Sequence, residues 1–157
     1  MTNQMSNHAG GISIIAFVIA VGISMAYYQY MYVPAVNAKP ILPAAVLHPA
    51  ESLTVKITPG SSVQSNPKFF DPKDIRSALG TNNHIIWKNT DEVPHSITSD
   101  EGYKDKINGS FNSIDTIGLV PPGATYEFTF TAIGTYHYHC EPHPWMQGSV
   151  DVTESFA

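Results

Sequence analysis

The segment YHYHCEPHPWMQG, residues 136–148, carries the chain's one cysteine and spaces Cys140, His143 and Met146 as C-x2-H-x2-M. Upstream, EVPHSIT places His95 shortly after an alternating run that ends in Asn89. A thiolate, two imidazoles and a thioether are the donor set of one mononuclear type 1 copper centre. Those types are needed together. Thiolate suits copper(I), imidazole suits both oxidation states, and a trigonal plane of the three lies between the geometries the two states prefer. A weak axial thioether tunes the potential without imposing a geometry of its own. Pro142 and Pro144 restrict the loop that presents the donors. Three other readings of the same residues stay open: a buried structural thiol, zinc held by one Cys and two His, and a Cys–His nucleophile. Methionine is a poor zinc ligand, and nothing in the sequence suggests the orienting partner or oxyanion site a nucleophile needs.

One cysteine also excludes an intramolecular disulfide framework, a zinc site of several thiolates and a binuclear site bridged by two thiolates. The formal charge of −5 and pI near 5.7 argue against a nucleic-acid binder, which needs a basic face to replace phosphate counterions.

The donors must be held by strands. SLTVKI (52–57) alternates with Leu53, Val55 and Ile57 on one face. HIIWKN (84–89) puts Ile85, Trp87 and Asn89 together, and TYEFTF (125–130) follows Pro121-Pro122-Gly123 with Tyr126, Phe128 and Phe130 together. TYHYH (135–139) leads directly into Cys140, and GSVDV (148–152) follows the Met146 loop. Short alternating strands between Pro, Gly and Asn turns predict an all-β antiparallel sandwich over residues 51–157. In the 135–140 strand, Tyr138 and Cys140 face one way and His137 and His139 the other. The polar run SDEGYKDKINGS (99–110) reads as a solvated loop, and its Asn108-Gly109-Ser110 sequon reads most simply as a turn.

The charges are unevenly placed: all twenty-one Asp, Glu, Lys and Arg side chains lie from Lys39 onward. Residues 12–33, ISIIAFVIAVGISMAYYQYMYV, are uncharged and as a helix would span roughly 33 Å, enough for a bilayer core. They grade from aliphatic to a belt of Tyr27, Tyr28, Tyr30 and Tyr32, with Pro34 expected to stop the helix. Residues 1–33 are thus expected to be an uncleaved membrane anchor. A signal peptide is the alternative, because Val36-Asn37-Ala38 offers a cleavage site after Ala38 that would release a secreted form. Residues 34–50, with Pro34, Pro40, Pro43 and Pro49, are expected to be an extended linker.

The segment from His84 to Val152, with G-T-Y-x-Y-x-C, the short C-x2-H-x2-M loop and W-x-N…P-H in order, resembles the cupredoxin (blue copper) family, most closely amicyanin and plastocyanin-like domains. The resemblance implies a Greek-key sandwich with copper at one end. It implies His95, Cys140 and His143 as equatorial ligands and Met146 as the axial one. Many members carry Asn directly after the first histidine; here that position is Ser96. A histidine directly before the cysteine ligates a second copper in some relatives, but the outward side of the strand assigns His139 to the surface. The expected function is single-electron transport between redox protein partners, themselves membrane-bound, at the outer face of a cell membrane. Extracytoplasmic placement follows from the resemblance alone. The alternative is a small copper enzyme acting on a nitrogen oxide or another small inorganic ligand at an axially open site.

Overall fold

The structure, a computed structural model, describes residues 4–155, with side chains for residue 11 and residues 13–155. The chain divides into two compact units, Met1–Lys39 and Pro40–Ala157.

The first unit is helical. α1 spans Gln4–Tyr27, a π-helical turn covers Tyr28–Tyr32, and α2 continues through Val33–Val36. Pro34 therefore does not stop the helix at residue 33. It sits in the first positions of α2, where its missing N–H leaves no interior bond unmade, and the wider turn before it, closed by Val33 N–H to Tyr28 C=O, admits its ring. Ser13–Val36 is long and apolar enough to cross a bilayer, by length and composition. His8 falls where side chains lie outside the described residues.

The second unit opens with α3, Ala44–Leu47, a single turn in the middle of the proline-rich segment. Val46 is buried there, its carbonyl accepts from Asn83 Nδ2 at 2.8 Å, and the same Nδ2 donates to Phe130 C=O at 2.7 Å. The second half of the segment expected to be an extended linker is thus fastened to the sandwich. An apolar side chain with an interior hydrogen bond outweighs the polyproline preference of its neighbours.

Among the described residues ten strands follow: β1 Ser52–Ile57, β2 Phe70–Asp71, β3 Asp74–Ala78, β4 His84–Asn89, β5 Thr98–Ser99, β6 Lys104–Asp105, β7 Gly109–Ser110, β8 Thr125–Thr129, β9 Gly134–Cys140 and β10 His143–Thr153, with one helical turn, α4 Ser113–Thr116, between β7 and β8. One sheet has the order β2-β1-β4-β8 and the other β3-β10-β9-β5, with β6-β7 a separate hairpin. The all-β Greek-key sandwich is as expected, but it is not wholly antiparallel. β1 pairs with β4, and β3 with β10, in parallel, because the chain between each pair passes through another sheet before returning.

The core follows the alternation. Val55, Ile57, Ile85, Trp87, Tyr126, Phe128, Tyr138 and Cys140 are all buried. Gly148 pairs with Tyr138 across β9 and β10, and a Cβ there would lie 2.6 Å from the tyrosine ring and 2.8 Å from Lys73 C=O. Only a glycine lets the ring that precedes Cys140 lie against β10. The 99–110 run is not simply solvated. It contains the β6–β7 hairpin and a buried carboxylate, Asp105, which accepts from the Ile107, Asn108 and Thr131 amides and the Thr131 hydroxyl. Asn108 donates its side-chain amide to Thr129 C=O at 2.7 Å, in keeping with the turn reading of the sequon.

Candidate metal centre

β9 ends at Cys140, a two-residue turn of Glu141 and Pro142 follows, and His143 pairs back to Cys140 at the start of β10. The pairing then shifts register before Gln147 regains it opposite His139. The extra residues form a bulge in which Pro144 is exposed, Trp145 half-buried and Met146 fully buried. One strand end, one turn and one bulge therefore present three of the four expected donors. The fourth, His95, is fully buried in the loop after β4 and exchanges both backbone hydrogen bonds with Val120.

Cys140 Sγ lies 3.6 Å from His95 Nδ1 and 3.5 Å from His143 Nδ1. Donor atoms of His95, Cys140 and His143 fall within 4.8 Å of one another, the one such His/Cys/Asp/Glu cluster among the described residues. Met146 is fully buried in the core three residues beyond His143. Burial pushes the Cys140 thiol up, against the pull of the Ser96 amide, which donates to Sγ at 3.3 Å. Burial lowers His95, against the raising effect of the nearby Asp91 carboxylate. Desolvation opposes the charge of Asp91 too, but the Gly60 amide, His95 and the Glu92 amide outweigh it and hold the carboxyl below its ordinary value. A soft donor and two imidazole nitrogens converging in a largely buried space fit a soft or borderline metal that displaces the thiol proton.

The two ligand loops are tied together. Ser96 Oγ accepts from the Glu141 amide at 2.8 Å, while the Ser96 amide bonds Sγ, so the shorter side chain at this position still bridges the loops. Asn89, buried at the end of β4, donates to Val93 C=O and Val120 C=O and shapes the His95 loop. His139 lies on the outer face and pairs with Asp100, consistent with a surface role. Sequence reasoning missed Asp91, whose Oδ2 is 2.8 Å from His95 Nε2, the Gly60 amide that donates to it, and the Ser61 carbonyl that accepts from Trp145. Its only local signal was a carboxylate four residues before a candidate ligand.

The chain is similar to known proteins. The family model described as copper binding proteins, plastocyanin/azurin family, matches residues 58–153. The amicyanin-alpha of Methylorubrum extorquens is 33% identical over 106 residues, covering 66% of this chain and 74% of that protein. Plastocyanin A/B of Petroselinum crispum is 37% identical over 89 residues, covering 53% of this chain and 86% of that protein. Among solved structures, the Cu(I) form of an amicyanin mutant aligns with a TM-score of 0.50 and 26% identity, covering 71% of this chain and 90% of that one. With its sandwich, its His-Cys-His cluster and these matches, the chain belongs to the plastocyanin/azurin family of copper-binding proteins, the cupredoxins.

Proposed function

We propose that this protein is a membrane-tethered carrier of single electrons, in which His95, Cys140, His143 and Met146 would hold copper. The observation that carries the reading is the convergence of donor atoms of His95, Cys140 and His143 within 4.8 Å of one another. When bound, copper supplies a one-electron couple. The chain's own residues do the rest. Cys140, His95 and Met146 are fully buried and keep solvent away, whereas His143 is half-buried between the exposed Pro142 and Pro144. His143 is the ligand through which an electron would reach a partner's surface. Hydrogen bonds from Ser96 hold the two loops, so little rearrangement accompanies a change of charge.

Met146 is fully buried, and this supports the carrier over an enzyme that admits a nitrogen oxide or similar small ligand. Azide titration of the copper-loaded protein is expected to leave its visible spectrum unchanged.

The Ser13–Val36 helix serves as the anchor in this reading, with the copper domain on the extracytoplasmic side and redox proteins at the membrane as partners. Such a tether keeps the domain concentrated near membrane-bound partners. The test of the copper reading is addition of Cu(II) to the full-length protein. An intense thiolate-to-copper band is expected in the visible and should vanish in Cys140→Ser; a colourless wild type sinks the assignment.

A further inference from the structure

Asp91 is almost wholly buried, at 6% exposure, and both its oxygens are committed. Oδ2 lies 2.8 Å from His95 Nε2, while Oδ1 accepts from the Gly60 amide at 2.8 Å and the Glu92 amide at 2.9 Å. Its own amide donates to Asn89 Oδ1 at 2.9 Å. A carboxylate fastened at two further points, on a backbone fastened at a third, is held against the imidazole. Gly60 has φ +78, a left-handed conformation that aims its amide at Asp91 and that other residues rarely adopt. The next residue, Ser61, is fully buried and accepts the Trp145 indole N–H on its carbonyl at 3.2 Å. One turn between β1 and β2 therefore braces both ligand loops: that of His95 through Asp91, and that of His143 and Met146 through Trp145.

A carboxylate only accepts hydrogen bonds, so its partner nitrogen must carry the proton. An imidazole protonated at Nε2 presents a bare lone pair at Nδ1, the atom that faces Cys140. A buried negative charge behind a metal-ligating imidazole makes that ligand more basic and favours the more positive state of the metal.

We propose that Asp91 is a positioning residue of the metal centre: braced by Gly60, it holds His95 as the Nε2–H tautomer with Nδ1 free for the metal, and it lowers the site's reduction potential. The tautomer half rests on the geometry alone, and the potential half on the copper reading above. Two measurements on the full-length protein decide it. Nitrogen-15 NMR of the metal-free wild type is expected to show His95 protonated at Nε2; protonation at Nδ1 overturns the positioning role with no variant required. Copper-loaded Asp91→Asn is expected to lose its preference for copper(II) over copper(I) by tenfold or more, a rise in potential of about 59 mV for each tenfold. Asp91→Glu should recover part of that shift by restoring the charge. Glu92→Gln, which removes the neighbouring exposed charge, should move the potential far less. An unchanged potential in folded Asp91→Asn, or an equal shift in Glu92→Gln, overturns the tuning role. A chain that takes up no copper sinks the potential half together with the copper reading, whereas a wrong tautomer in a chain that does bind copper sinks Asp91 alone.

Discussion

Ser96 shows how much one short side chain can do at the site. Its hydroxyl accepts from the Glu141 amide and its own amide donates to Cys140 Sγ, so it joins loops 45 residues apart. An alanine there leaves the Glu141 amide without that acceptor, at a cost of about 1–2 kcal/mol for an incompletely buried group. Thermal unfolding of metal-free Ser96→Ala should show that loss, and the copper-loaded variant should release its metal faster. A variant as stable as the wild type would mean the loops are held elsewhere. The His95, Cys140 and His143 cluster was legible in the sequence because Cys and His carry their chemistry in their residue types. Asp91 was not, because a carboxylate in a polar loop looks the same whether it faces solvent or an imidazole.

At the scale of elements, the β6–β7 hairpin depends on a buried charge. Burial works against ionised Asp105, but the Thr131 hydroxyl and the Ile107, Asn108 and Thr131 amides outweigh it, so its carboxyl titrates below its ordinary value. A group lowered on folding stabilises the native state above its unfolded value of about 3.9, and that stabilisation is lost as pH falls through the lower folded value. Asp105→Asn is therefore expected to cost about 2–4 kcal/mol at pH 7. The gap between variant and wild type should narrow below about pH 4. Urea unfolding at pH 7, 5 and 3 checks this, and a gap independent of pH would refute it. The hairpin escaped sequence reasoning because its residues are polar and its strands only two residues long; what orders it are donors from residues 107, 108 and 131. The longer strands were readable because alternation in β1, β4, β8 and β9 is local. The parallel pairings of β1 with β4 and of β3 with β10 were not, since which strands become neighbours in a sheet is set by connections rather than by any one strand.

At the scale of the whole molecule, the helical unit and the sandwich make separable contributions. A chain beginning at Pro40 keeps the compact second unit and should retain the copper spectrum while failing to co-float with lipid vesicles that the full chain binds. Vesicle binding by the shortened chain would overturn the anchor. A further truncation to Ser52 removes Val46 and its bond to Asn83, and is expected to lower stability by about 1.5–3 kcal/mol in urea unfolding. No loss would mean that α3 is only laid on the surface. The uncharged stretch before Lys39, the donor types around Cys140 and the inward faces of the long strands were all determined by sequence alone, because each is written in neighbouring residues. The tertiary structure decided the helix running past Pro34, the docking of Val46, the burial of Asp105 and the line from Gly60 through Asp91 to His95. The last three join residues 26 to 37 positions apart, and such contacts exist only once the chain has closed on itself.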